Sequence, residues 1–232
     1  MRILTRAVGL LLILLLTVAV VAWLMIRSRI NATPEWFEPH AASTPERRAE
    51  AQLVERTVTS RLTELRTPED QWVLELSQDE ANAWLAERLP RWLANREIDW
   101  PTGFGPVVMR MDAGVITLAS TMAKPDGSER VVGVTVQPLV QGEQVMLMAE
   151  TMHIGTLAVP GEMVASRLDT LLPPGILEPR AGMELGAILS GTSPIMDPAE
   201  FTLADERRVR LHAIEIDGTS LKLTCTTLAP AR

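Results

Sequence analysis

The feature that most constrains this chain is an uncharged apolar stretch of twenty residues, Ala7 to Ile26. Two arginines precede the stretch and two follow it closely. An α-helix rises about 1.5 Å per residue, so twenty residues cover about 30 Å, which is the hydrocarbon thickness of a bilayer. The stretch therefore predicts a transmembrane helix over residues 7–26.

A cleaved secretory signal is the alternative interpretation of the same residues, because Arg2 and Arg6 form a positive region before an apolar run. The apolar part of such a signal spans roughly 7 to 15 residues and ends at small residues. Here the run is longer and ends in the bulky segment Trp23 to Ile26. We therefore expect an uncleaved anchor.

The segments around this stretch predict the organisation of the chain. The first six residues contain arginine and no acid, which favours a cytoplasmic tail under the positive-inside rule. Residues 27–44 contain two prolines and no apolar period, which is typical of a juxtamembrane linker. We predict a cytoplasmic tail at 1–6, a transmembrane helix at 7–26, a linker at 27–44 and an extracytoplasmic α+β domain at 45–232. The predicted location is the cell membrane, with a single span.

The charge of the chain argues against nucleic-acid binding. After the apolar stretch the chain has 20 basic and 29 acidic residues, and the basic residues form no cluster. Binding to nucleic acid needs clustered cations that replace condensed counterions. We therefore expect no nucleic-acid partner.

Two amphipathic helices are predicted at the start of the domain. The first runs over 45–66, after Thr44, and carries an apolar stripe that either packs on its own domain or pairs two copies. The second starts with the capping box Ser77 and Glu80, and Pro90 must kink or restart it. Its apolar stripe predicts that this second helix covers the sheet that follows.

Four β-rich runs follow at 108–111, 115–122, 131–137 and 145–151, separated by turn residues, and they predict an antiparallel meander. Alternation of apolar with small polar residues indicates that one face of this sheet is covered by helices. A short helix is predicted over 162–172, and residues 176–199 fit helix and strand equally. A hairpin around Asp217 and Gly218 closes the chain, and its alternation makes the single cysteine, Cys225, a core thiol.

The sequence contains no motif typical of a catalytic or metal-binding site. The three histidines have no metal-ligand spacing, and the sequence contains no nucleophile motif and no phosphate-binding loop. Glu150 lies among apolar strand residues, where it is either a buried functional acid or a polar residue on the open face. We predict no catalytic residue, no metal and no cofactor.

A family resemblance rests on three features: a short anchor, the helix segment 80–85 (EANAWL) before a meander, and the segment 154–160 (IGTLAVP) before a further helix. In this order and with the closing hairpin, residues 70–227 resemble the YpmS-like membrane-anchored proteins. Their outline is similar to tubular lipid-binding domains, in which a curved sheet wraps a helix around an apolar cavity. The resemblance brings no catalytic residues with it.

This resemblance, together with the flexible methionines of the strands, implies membrane lipid as a partner. The lipid-cavity candidates are Trp84, Leu85, Met122, Met146, Met148 and Met152. Aromatic residues near the span are candidates for the membrane interface, namely Trp23, Trp36 and Phe37. A hydrophobic contact with the domain is the equal alternative for Trp36 and Phe37.

Three function classes therefore remain open. The first is a membrane-anchored, non-catalytic domain that binds or handles lipid at the membrane surface. The second is a structural or protein-interaction domain of a cell-envelope assembly, with a protein partner. The third, an enzyme, has the least support from the sequence.

Overall fold

The computed structural model describes the backbone of residues 2–38, 43–124, 126–161, 163, 179–203 and 205–229. In the first helix the side chains are described from residue 17 onwards. In the helix that begins at residue 179 they are described from residue 183 onwards. The helix expected over 162–172 lies almost wholly outside the described residues, so that prediction has no test here.

The described helices and strands form a mixed α+β fold, as the sequence predicts. The helices are α1 (Arg2–Asn31), α2 (Pro45–Thr63), α3 (Gln78–Glu87), α4 (Leu89–Ala94) and α5 (Pro179–Leu189). The strands are β1 (Gln71–Ser77), β2 (Val108–Asp112), β3 (Val115–Ala123), β4 (Glu129–Gln141), β5 (Gln144–Ile154), β6 (Leu157–Pro160), β7 (Glu200–Thr202), β8 (Arg208–Asp217) and β9 (Ser220–Thr227).

The described strands form two antiparallel sheets. The larger sheet is the expected meander, extended by β6, in the order β2-β3-β4-β5-β6. The smaller sheet has the order β1-β9-β8-β7, so the first strand of the domain pairs with the closing hairpin. The sequence predicts the hairpins between β2 and β5 and the closing β8–β9 hairpin, because their turn residues are local. It does not predict the β5–β6 hairpin, the pairing of β7 with β8, or the pairing of β1 with β9, which lie far apart in the chain.

Helix α1 is continuous from Arg2 to Asn31. Every residue from Val18 to Arg29 is exposed, including Trp23 at 56% and Met25 at 64%. Among the side chains that the structure describes, no helix is long and apolar enough to span a membrane. The transmembrane helix over 7–26 therefore stays a prediction.

Helix α2 packs on its own domain. Thr44 caps it by accepting a hydrogen bond from the backbone N–H of Arg47. Ala51 and Val54 are buried, and the helix contacts α3. Of the two interpretations of its apolar stripe, packing within the domain is therefore the one observed.

Pro90 restarts the second amphipathic helix, as predicted. Helix α3 ends at Glu87, and α4 begins at Leu89 with Pro90 in its first turn, where the missing N–H is harmless. The capping box between Ser77 and Glu80 is also present, because each side chain bonds the other residue's backbone N–H.

The predicted covering of the meander by this helix is wrong. The buried side chains of α3 are Ala81, Asn82 and Ala83, whereas its large apolar residues are only half-buried. Helix α3 lies instead at the outer edge of the sheet, beside β2. Its amide side chains bond three backbone groups of that edge: Asn82 bonds both the N–H and the C=O of Met109, and Gln78 accepts from the N–H of Met111.

The smaller sheet covers part of the meander in place of the helix. Val145 of β5 belongs to the buried core formed around Trp72, Val209 and Cys225, and Val140 of β4 packs against it. Strand β4 is 13 residues long, so its first half extends beyond this core. The apolar face of that first half is the surface described in the next section.

Cys225 is a core thiol, as predicted. It is 2% exposed and lies opposite Trp72 in the pairing of β1 with β9. Burial raises the pKa of the Cys225 thiol to about 11, which keeps it protonated at neutral pH.

Candidate functional site

The site with the most specific geometry is an apolar groove on the exposed half of the meander's apolar face. The groove has a volume of about 340 Å³, at the lower end of the usual range for ligand pockets. Its floor is formed by alternate residues of three neighbouring strands, and Phe104 and Val107 close one side. The floor residues are Leu118, Ser120 and Met122 of β3, Arg130, Val132 and Val134 of β4, and Met152 and Ile154 of β5.

The register of the strands explains why these side chains meet. Leu118 pairs with Val134, and Val134 pairs with Met152 on its other side. Directly paired residues in an antiparallel sheet share a face, and alternate residues along each strand return to it. The alternation in the sequence therefore predicts the composition of this face, while the pairing decides which residues become neighbours.

One cation interrupts this apolar surface. Arg130 pairs with Met122 at the end of the groove, and its Nε is buried without a hydrogen-bond partner among the described residues. A buried guanidinium N–H without a partner is unfavourable, because it has lost its water and gained nothing in return.

The same end of the groove adjoins the C-terminus of α1. Ile154 lines the groove, and the next two residues, Gly155 and Thr156, form the β5–β6 turn that receives α1. The backbone N–H of Thr156 donates to the carbonyl of Arg29 at 2.8 Å. Lys124, just beyond β3, donates to the side-chain oxygen of Asn31 at 3.2 Å. Helix α1 thus leaves the domain beside the Arg130 end of the groove.

Of the six lipid-cavity candidates, Met122 and Met152 line the groove. Met146 and Met148 do not, because a β-bulge at Glu150 reverses the faces of β5. Thr135 pairs with Thr151 and Val136 with Ala149, so Glu150 is the extra residue. Met148 is 43% exposed and Met146 is buried, both on the opposite face of the sheet.

Glu150 is exposed at this bulge. The sequence allows Glu150 to be either a buried functional acid or a polar residue on the open face. The structure shows the second. No functional role for its carboxylate follows from the geometry.

The remaining two cavity candidates, Trp84 and Leu85, also lie away from the groove. They are half-buried on α3, which contacts α2, β1 and β2. The structure places them there because α3 lies at the edge of the meander and does not cross its face.

The three interfacial candidates have different environments. Trp23 is exposed on α1, with the guanidinium of Arg27 5.2 Å from the centre of its ring. Phe37 is 4% exposed and packs with Val108 and Val131 in the domain. Of the two alternatives for Phe37, the hydrophobic contact with the domain is therefore the one observed. The expected position of Phe37 in the lipid headgroup region is corrected accordingly. Trp36 is half-buried against the same cluster, edge-to-face with Phe37.

A polar cleft of about 750 Å³ between α2, α3 and β2 is larger than the groove. Its lining mixes acids and bases, including Glu50, Asp79 and Arg110. Some of its other polar groups, such as the Asn82 amide, already bond the edge of β2. This cleft offers no set of converging groups that would select a ligand.

A row of hydrogen bonds crosses the other face of the meander. Thr117 and Thr135 bond at 2.8 Å, and Thr135 bonds Nε2 of His153 at 2.9 Å. Burial lowers the pKa of His153, which favours a neutral ring at neutral pH. The Thr135 hydroxyl satisfies Nε2 of His153, and the row has no acid to activate a nucleophile. Within the described residues no group of three or more His, Cys, Asp or Glu could hold a metal ion.

No protein-family model, functionally described protein or solved structure matches this chain. The resemblance to the YpmS-like proteins therefore stays a prediction.

Arg130 is the site residue that sequence reasoning missed. A signal was present, because Arg130, Val132 and Val134 share one face of a strand by simple alternation. An arginine in line with the apolar residues of a half-covered sheet is unusual enough to be examined as a ligand contact.

Proposed function

We propose that this chain is a single-pass membrane protein whose domain binds the acyl chain of a membrane lipid in the groove of the larger sheet. The observation that carries the proposal is the groove itself, an apolar surface of three strands that opens beside the end of α1. The domain lies outside the cytoplasm in this proposal, with residues 1–6 as the cytoplasmic tail.

The exposure of α1 supports the membrane anchor. Its side chains from Val18 to Ile26 are apolar and exposed, and large apolar residues along a whole helix are unfavourable in water. Trp23 stacked with Arg27 is typical of the end of a membrane span, where aromatic and basic residues meet the headgroups. The bilayer is the environment that covers such a surface.

The groove supports lipid as the ligand. Its floor contains Val132, Val134 and Ile154, together with two methionines whose side chains adapt to ligands of variable shape. Because α1 ends next to Ile154, a lipid that leaves the bilayer beside α1 would reach the groove over a short distance. The YpmS-like resemblance, with its lipid-binding outline, agrees with this proposal.

The anchor has a direct test. We expect the full-length chain to stay in membranes during alkaline extraction and to dissolve only in detergent, because residues 7–26 contain no charge. N-terminal sequencing of the membrane-derived protein should find residues 1–30 intact. A mature protein that starts after Trp23 and dissolves in alkali would contradict the anchor.

The groove is tested by the lipid that the protein carries. We expect the full-length chain, purified in a mild detergent, to retain lipid at close to one molecule per chain in native mass spectrometry and lipid extraction. Val132→Asp should remove most of this lipid, because a carboxylate in an apolar site strongly disfavours an acyl chain.

The matched control is Val73→Asp, which introduces the same charge at a valine that is 51% exposed on the smaller sheet. This variant should retain its lipid. If Val132→Asp melts at a lower temperature than the wild type, Val134→Phe, which fills the groove without adding charge, distinguishes a blocked groove from a misfolded domain. If the wild-type protein carries no lipid in detergent and takes up none from vesicles, the result would favour the structural interaction domain instead.

A further inference from the structure

We propose that Arg130 selects an anionic headgroup, so that the ligand of the groove is an anionic phospholipid taken from the bilayer that holds α1. This inference rests on the proposed function and adds the chemical class of the ligand. The inference rests on the unpaired guanidinium of Arg130 and not on the apolar floor of the groove.

Arg130 differs from most of the other arginines of the domain. Arg66, Arg88 and Arg207, for example, each form an ion pair with a neighbouring carboxylate. The side chain of Arg130 forms no hydrogen bond or ion pair with any described residue, and its Nε is buried. Arg56, Arg91 and Arg96 also form no ion pair with a described residue, but they are exposed to water, whereas Arg130 is half-buried.

The groove residues around Arg130 carry no negative charge that would compete with an external anion. On β4 the adjacent Glu129 is exposed, and by alternation it belongs to the opposite face of the sheet. On β3 and β5 the groove face nearby carries Met122 and Ile154, which have no charge. No carboxylate of the described groove lining can therefore neutralise the guanidinium.

The position of Arg130 also matches the orientation of a lipid. The guanidinium lies at the end of the groove near the C-terminus of α1, and Leu118 and Val134 lie further along the floor. Lys124 bonds Asn31 at the same end, but its charge is already paired with Asp126 at 4.0 Å, so it adds little to the attraction of an anion. A phosphate at Arg130 would place an acyl chain along the apolar floor.

A guanidinium suits a phosphate group better than it suits a neutral or zwitterionic surface. Its planar N–H groups bind two oxygens of one phosphate, and such charge-assisted hydrogen bonds are the strong ones. In phosphatidylcholine the trimethylammonium group partly cancels the phosphate charge. In phosphatidylglycerol the phosphate charge is not opposed, so this lipid should bind more tightly.

The test uses the full-length chain reconstituted in phosphatidylcholine vesicles that contain a trace of lipid with a photoactivatable acyl chain. The traced lipid is phosphatidylglycerol in one sample and phosphatidylcholine in the other. We expect phosphatidylglycerol to label the β3, β4 and β5 peptides about tenfold more than phosphatidylcholine does, the effect of one charge-assisted hydrogen bond. Arg130→Gln should reduce phosphatidylglycerol labelling to the phosphatidylcholine level, and Arg130→Lys should restore part of it.

The matched control is Arg110→Gln, which removes the same charge from β2, outside the groove, and should keep the tenfold preference. Equal labelling by the two lipids in the wild-type protein would overturn the role of Arg130 and leave the proposed function intact. A groove that neither lipid labels in the wild-type protein would overturn both. The wild-type preference alone tests the proposal if Arg130→Gln fails to fold.

Discussion

Replacing Asn82 by alanine should destabilise the domain by about 2–5 kcal/mol, because the substitution leaves two backbone groups of an edge strand without partners. The Asn82 side chain is 8% exposed. Its amide donates to the carbonyl of Met109 at 2.8 Å and accepts from the N–H of the same residue at 2.6 Å. A denaturant titration of the full-length chain in detergent, followed by tryptophan fluorescence, measures the free energy of unfolding.

Asn95→Ala is the control, because it is the same substitution at an exposed position at the end of α4. It should change the free energy of unfolding by less than about 0.5 kcal/mol. A similarly small change for Asn82→Ala would show that water replaces the amide at the edge of β2, so that α3 does not depend on this contact.

The second large effect is expected from Gly155→Ala. Gly155 has φ +60° in the β5–β6 turn, and a Cβ atom there would lie inside the contact distance of the carbonyl oxygens of Arg29 and Ile30. The last turn of α1 must then move away from the domain and lose the hydrogen bond from Thr156 to Arg29. We expect faster tryptic cleavage after Arg27 and Arg29 and a lower melting temperature.

Gly142→Ala separates the clash from the backbone strain. Gly142 also has φ +60°, but a Cβ atom there meets nothing within 4 Å. Both variants therefore share the strain of a left-handed residue, about 1–2 kcal/mol, while only Gly155→Ala disturbs α1. Equal cleavage rates in the two variants would mean that α1 is not held by this turn, and the proposed approach of lipid beside α1 would lose its support.

Local patterns predicted most elements of this protein. The Ser77 capping box, the restart at Pro90 and the hairpin turns depend on residues a few positions apart, so the chain near each of them contains the whole signal. Cys225 was assigned to the core for the same reason, since alternation along one strand is local. In the stretch 176–199, which contains three glycines and fits helix and strand equally, the structure has helix α5 over 179–189.

The structure separates residues that the lipid-cavity prediction brings together, because that grouping depends on distances between elements. The prediction selects Met146, Met148 and Met152 as flexible methionines of the strands, but the bulge at Glu150 places the first two on the other face from Met152. A bulge of this kind depends on the register with β4, which no pattern within β5 reveals. The helix residues Trp84 and Leu85 also lie away from the groove, because amphipathicity shows that a helix is covered and not what covers it.

The sequence by itself determined the apolar stretch at 7–26, the meander with one apolar face and the acidic balance of the rest, because each depends on residue type and spacing alone. Only the tertiary structure decided that α3 seals the edge of β2, that the smaller sheet covers half of the apolar face, and that Arg130 lies in the uncovered half beside the end of α1. These outcomes depend on which surfaces bury the most apolar area together, a comparison between distant segments that no local pattern contains.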